Sequence, residues 1–133
     1  MSNSKVDVSD LSNEISKYLD KYVEDIHDQV VEVTEDLTNK AVDELKETSP
    51  KGKGKRSTPY WRGWESKIKI KGKQKYHRVI WNKTNYQLTH LLEYGHATRN
   101  GGRTKAIPHI EPIEQKYQDE YLKQIVEKIR RVH

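Results

Sequence analysis

Between residues 11 and 45 an apolar side chain returns about every 3.8 positions, at Leu11, Ile15, Tyr18, Tyr22, Ile26, Val30, Val33, Leu37, Ala41 and Leu45. No glycine or proline interrupts the pattern before Pro50. The period is close to the α-helical one and predicts a single long helix over 9–48, with Ser9 or Asp10 able to cap its start. Charged residues fill most of the remaining circumference, so the apolar stripe is narrow. A narrow stripe on a long helix belongs to an interhelical seam rather than to one side of a large core. At about 1.5 Å per residue the stretch from Leu11 to Leu45 alone reaches roughly 50–55 Å, further than a globule of this size needs, so part of it projects onto a neighbour. Leu11, Ile15, Tyr22, Ile26, Val30 and Leu37 are assigned to this packing seam.

The rest of the composition agrees with a thin core. Leu, Ile and Val number 28 of 133 residues and Phe is absent, which is close to the level below which chains do not fold alone. Three Trp and eight Tyr recover some apolar area, and Trp61, Trp64 and Trp81 are assigned to the centre of the fold. Burial is expected to be completed against copies of the same chain or a partner. The absence of cysteine excludes disulfides, thiolate metal sites and cysteine nucleophiles. Residues 1–10 contain no apolar signal-peptide core, and no run of 18 apolar residues occurs anywhere. The expectation is a product with no membrane span, made in the cytoplasm and used there or in a particle assembled there.

Charge divides along the chain. Residues 1–48 carry a net −8 and residues 49–133 a net +13, which the overall +5 conceals. Such asymmetry favours head-to-tail contacts between copies, or a basic face meeting nucleic acid or an acidic partner. Ser49 to Pro59 is rich in Gly, Pro and Lys, ends the helix, and reads as a flexible basic loop over 49–58. Its Gly-x-Gly lacks the preceding strand and following helix that a phosphate cradle needs. Lys51, Lys53, Lys55 and Arg56 there are either plain solvated charges or an electrostatic contact. From Glu65 the period changes to two: Ile68 and Ile70 alternate with Lys67, Lys69 and Lys71, Gly72-Lys73-Gln74 turns, and Tyr76 to Trp81 returns. That pattern predicts an antiparallel hairpin with one apolar and one basic side. Lysines guard exposed strand edges, but eleven basic residues against one acid between Lys51 and Arg78 exceed that need.

Thr84 or Asn85 can cap a short helix through Leu88, Leu91, Leu92 and Tyr94. Gly95 closes it, read as a left-handed cap. Asn100-Gly101-Gly102 marks a loop. Pro112 opens a last helix with Ile113, Tyr117, Tyr121, Ile125 and Ile129 on one face. The predicted fold is α+β: one domain over 1–133, with 1–8 disordered, a long helix over 9–48, the basic loop over 49–58, and an α+β core over 59–133. Its sheet, of two to four antiparallel strands, is packed by the short helix and the C-terminal helix. His90, Glu93 and His96 offer metal-ligand chemistry, but their spacing matches no zinc motif, and Glu93 more simply satisfies backbone or tyrosine groups. His77, His96 and His109 lack a paired acid that would make any of them a general base. No catalytic residue, cofactor or metal is assigned. Basic residues interleaved with Tyr60, Trp61, Trp64 and Tyr76 leave a second function class open: a nucleic-acid-binding module making non-specific backbone contacts.

Three segments resemble a known family. Ser57-Thr58-Pro59-Tyr60-Trp61-Arg62-Gly63-Trp64-Glu65-Ser66 precedes the hairpin, Leu91-Leu92-Glu93-Tyr94-Gly95-His96 ends the short helix, and Ile107-Pro108-His109-Ile110-Glu111-Pro112 leads into the last helix. In order and spacing they are similar to the small neck, or tail-completion, proteins of long-tailed phages, of the HK-ninety-seven gp-ten type. Trp61 and Arg62 stand where that family commonly has Thr-Gly, His96 where it has Thr, and Glu111 where it has Arg. The resemblance covers residues 50–133 with a leading helix. It implies a structural, non-enzymatic virion protein that completes the head–tail connector as a six- or twelve-fold ring of itself. Its partners would be other connector or tail proteins, with transient contact to packaged DNA. Lys67, Lys69 and Lys71 join the basic loop as candidate contacts, and Leu92, Gly95 and Pro108 join the tryptophans as fold-determining residues.

Overall fold

In the computed structural model, which describes residues 8–52, 59–73 and 75–131, helix α1 runs without a break from Val8 to Thr48. It begins one residue before the expected boundary, so Ser9 and Asp10 lie inside its first turn instead of capping it. Asp10 there complements the positive end of the helix dipole. Of the residues 1–8 expected to be disordered, Val8 is instead the first residue of α1, and residues 1–7 lie outside the described residues. At the other end the Ser49 N–H donates to the Leu45 carbonyl at 2.9 Å. The Lys51 ammonium donates to the carbonyls of Lys46 and of Glu47, the latter at 3.0 Å, placing a cation on the negative end of the helix.

A 3₁₀ turn at Tyr60–Arg62 leads into strand β1 (Trp64–Lys71), which pairs antiparallel with β2 (Tyr76–Asn82). The sheet has two strands. Its register holds from Trp64↔Asn82 to Ile68↔Arg78, then shifts, so that Ile70 opposes His77 and Lys71 opposes Tyr76. Lys69 is the extra residue of a β-bulge. Opposed residues share a face of the sheet. Ile68 therefore lies with Trp64, Ser66, Ile80 and Asn82 on the face toward α1. Ile70 lies with Lys67, Val79 and Trp81 on the outer face. The expected single apolar side of the hairpin is thus divided between two faces. Tyr76, buried on the inner face, donates its hydroxyl to Glu35 Oε1 at 2.7 Å and ties the hairpin to α1.

Helix α2 spans Leu88–Tyr94, later than the caps expected at Thr84 and Asn85. Those residues belong instead to a turn organised by Asn82, which is 1% exposed. Its Oδ1 accepts from the Asn85 N–H at 2.8 Å and the Thr84 hydroxyl at 3.3 Å, while its amide donates to the Tyr60 carbonyl at 2.7 Å. Gly63 closes against this turn: a Cβ there would stand 2.4 Å from Asn82 Oδ1. Helix α3 (Glu111–Arg131) has Pro112 in its first turn, acidic Glu111 and Glu114 near its start, and Lys128, Arg130 and Arg131 near its end, all favourable to its dipole.

The core is a small cluster of Ala41, Val42 and Leu45 from α1 with Tyr60, Trp64 and Ile113. Ile80, Leu88, Leu92, Ile110 and Tyr117 pack against it. Each large apolar side chain fully buried there contributes about 1.5–3 kcal/mol. The Trp64 indole N–H donates to Ser49 Oγ at 2.7 Å, joining β1 to the end of α1. Tyr117 donates to Glu44 Oε2 at 2.6 Å beside Lys116 at 2.9 Å, so α3 starts against the C-terminal turns of α1. Among the described residues the architecture is α+β: three α-helices and a two-stranded antiparallel sheet.

Candidate assembly interface

Along α1 burial falls away toward the N-terminus. Leu37 is 4% exposed and Val33, Ala41 and Leu45 are also buried, whereas Ile15 is 51% and Leu19 52% exposed. With about 100° of rotation per residue, Ile15, Leu19, Val23, Ile26 and Val30 all fall within about 40° of the direction of Leu37. One stripe therefore continues past the point where the rest of the fold stops covering it. Helix α1 has 41 residues and α3 has 21, so some 30 Å of α1 has no α3 alongside it. Of the seam residues expected from sequence, Leu11 and Ile15 are exposed, Tyr22, Ile26 and Val30 are half-buried, and Leu37 alone is enclosed. Residues 8–30 carry a net −4.

The hairpin bears the opposite sign, a net +6 over 64–83. Lys67, Lys69, Lys71, Lys73 and Lys75 are exposed. On the outer face Ile70 is exposed and Val79 and Trp81 are half-buried. The Lys67 ammonium lies 4.4 Å from the centre of the Trp81 ring, a cation–π contact. The Trp81 Nε1 proton is covered and has no acceptor among the described residues. The pair Glu65–Lys83 is exposed at 3.8 Å and adds little. Trp61 is likewise at the surface, with Lys51 and Arg62 at 4.5 and 5.2 Å from its ring. Of the three indoles assigned to the centre, only Trp64 lies there. The other two are half-buried outside it. Lys53, Lys55 and Arg56 lie outside the described residues.

The residues with metal-ligand chemistry separate. His90 stacks on Tyr94 with ring centres 6.2 Å apart, and His96 Nδ1 is 3.1 Å from the Thr104 hydroxyl. Among the described residues no cluster of three or more His, Asp or Glu is placed to hold a metal ion. Glu93 is buried and has another task. Its carboxylate accepts from the backbone N–H groups of His109 (2.8 Å), Ile110 (2.9 Å) and Glu111 (3.0 Å), filling the start of α3 with negative charge. His109 Nδ1 donates to the Ile107 carbonyl at 2.8 Å, and its Nε2 meets the Tyr60 hydroxyl at 2.8 Å. Burial pushes the Glu93 carboxyl up, but those three N–H donors and the neighbouring His109 outweigh it and hold the group below the usual carboxylate range. Burial and the Glu93 charge raise the Tyr60 hydroxyl, against the pull of Thr89.

Gly95 ends α2 with φ 74° and ψ 170°, a region open to glycine but not the left-handed cap expected. A Cβ there would also meet the Thr104 carbonyl oxygen at 2.6 Å. Leu92 is half-buried against the core and its carbonyl accepts from the Ile107 N–H at 2.7 Å. Pro108 is exposed. A groove of about 450 Å³ between α1 and α3, lined by Leu37, Ala41, Trp64, Tyr117 and Tyr121 among others, is the unfilled part of this thin core. In α3 the expected apolar face is only partly used: Ile113 is buried while Tyr121 and Ile129 are exposed.

Sequence reasoning did not find the Tyr60–His109–Glu93 network, the Lys69 bulge or the Asn82 turn. Glu93 was visible only as a lone acid between apolar residues and Gly95, and its partners lie 16–18 positions downstream. The family model described as "Bacteriophage HK97-gp10, putative tail-component" matches residues 13–95. The matched span takes in most of α1, the hairpin and α2. It ends before Ile107–Pro112 and so lies further toward the N-terminus than the 50–133 region that carries the resemblance drawn from sequence. No curated protein and no solved structure matches the chain.

Proposed function

Because the chain belongs to the HK97-gp10-like family of bacteriophage tail components, we propose that it is a structural head–tail joining protein, assembling as a ring at the phage neck. The observation that carries the ring is the uncovered half of α1. A helix whose apolar stripe leaves its own fold, with the molecule's acidic residues around it, needs a partner surface, and a second copy supplies one of opposite charge. Acidic helix against basic surface is a heterologous contact, and such contacts propagate around a ring until it closes. A six- or twelve-fold ring fits a portal-to-tail junction. Its other partners are neighbouring connector or tail proteins, and its place is the virion after assembly in the host cytoplasm. The buried titratable pair, Glu93 and His109, is engaged in holding the start of α3 and Tyr60, which supports a non-catalytic role. No helix among the described residues is long and apolar enough to cross a membrane.

A second reading has one observation in its favour. The exposed lysines of the hairpin and the cation-flanked Trp61 form a surface that meets phosphates, as in a nucleic-acid-binding module. Size exclusion with light scattering, at low and high salt and with and without duplex DNA, separates the two. The ring reading predicts oligomers at low salt that weaken as salt screens the contact and that ignore DNA. A monomer that shifts in mass only with DNA, and loses the shift at high salt, would replace it with the second reading.

A further inference from the structure

We propose that the outer face of the β-hairpin, with Ile70, Val79 and Trp81 inside a rim of lysines, receives the uncovered half of α1 from a second copy of the chain. The proposal rests on the ring reading and names the surface that closes it. The bulge at Lys69 creates this face, since without the register shift Ile70 would lie with Ile68 against α1. As built, an isoleucine, a valine and an indole share a sheet face, with Ile70 39% exposed and Val79 and Trp81 half-buried. A two-stranded sheet is marginal alone, and here Trp64 and Tyr76 hold its inner face on α1, with Ile68 at the far end of that face still 45% exposed.

The occupant follows from charge and direction. Residues 8–30 carry −4 and residues 64–83 carry +6. Pairing α1 with another α1 would bring −4 against −4. The outer stripe of α3, Leu122, Val126 and Ile129, sits in a segment, 119–131, with a net of only +1. The Tyr76–Glu35 hydrogen bond holds the inner face of the hairpin on the chain's own α1, so the outer face is turned away from it. The helix that lands there comes from another molecule. Ile15, Leu19 and Val23 repeat every four residues, about 6 Å apart along the helix axis, and lie across Ile70, Val79 and Trp81 while the acids beside them meet Lys67 and Lys69.

The chain's lack of cysteine makes the test direct. Ile15→Cys, Leu19→Cys and Val23→Cys variants are each mixed with an Ile70→Cys variant and treated with a short bismaleimide. All four sites are exposed, so the fold is retained, as a thermal melt would verify. The expected result is a cross-linked dimer in at least one mixture, absent from the Ile70→Cys variant alone and suppressed by high salt. Dimers of the α1 variants alone, or oligomers as in the parent chain with no mixed cross-link at any of the three positions, would overturn the hairpin as the landing surface and leave the ring standing. A parent chain that is monomeric at every salt would remove both.

Discussion

At the scale of single residues, Glu93 joins three parts of the chain. Three backbone N–H groups at the start of α3 converge on its carboxylate, and His109 carries the network on to Tyr60. Glu93→Ala leaves those donors buried without an acceptor and is expected to lower the unfolding free energy by about 2–3 kcal/mol in urea titrations. Because the fold holds this carboxyl below its ordinary range, its stabilisation is complete above about pH 4.3, the unfolded value, and is lost as pH falls through the folded value. Glu93→Gln should therefore flatten the acid limb of the stability profile, whereas an unchanged limb would show that other carboxylates dominate it. Gly95→Ala should cost more than Gly101→Ala, although both glycines have positive φ. Only the first meets backbone at 2.6 Å, while the second faces open space; equal melting temperatures would refute this. The sequence hinted at both Glu93 and Gly95. It could not reveal what Glu93 binds, since a carboxylate chelating backbone N–H groups leaves no mark on the types of the residues it contacts.

At the scale of elements, α1 was legible because a helical period maintained over so many residues leaves few alternatives. How that helix is shared was not. Spacing marks the stripe from Leu11 to Leu45, but where α3 stops covering it depends on the lengths of two elements distant in sequence. Isolated helical segments of about 20 residues are marginal in water. In the monomer, amides over 10–25 should thus exchange with solvent far faster than those over 33–45, and should become protected on assembly. Uniform protection along α1 in a verified monomer would contradict this division. The hairpin shows the opposite failure of sequence reading. Ile-Lys-Ile-Lys alternation describes a flat strand, and nothing in it signals that Lys69 is extra. Deleting Lys69 should restore a regular register, return Ile70 to the inner face, and abolish oligomers while the hairpin still forms, as judged by light scattering and circular dichroism.

At the scale of the whole molecule, a core with one central tryptophan, an acidic N-terminal third and a basic remainder are the features behind the proposal that the chain completes its burial outside itself. The composition showed that much: too few aliphatic residues for a large core, and too regular a helix for a small globule. The chain's family supplies the setting, a phage tail, and the opposite charges of α1 and the hairpin are what the proposed contact between copies rests on. The most direct measurement is native mass spectrometry of the full chain across a range of protein concentrations at low ionic strength. A closed ring built by one heterologous contact predicts a single discrete oligomer mass, joined only by monomer as concentration falls. A mass confined to the monomer, or an open ladder of oligomers with no preferred size, would contradict it.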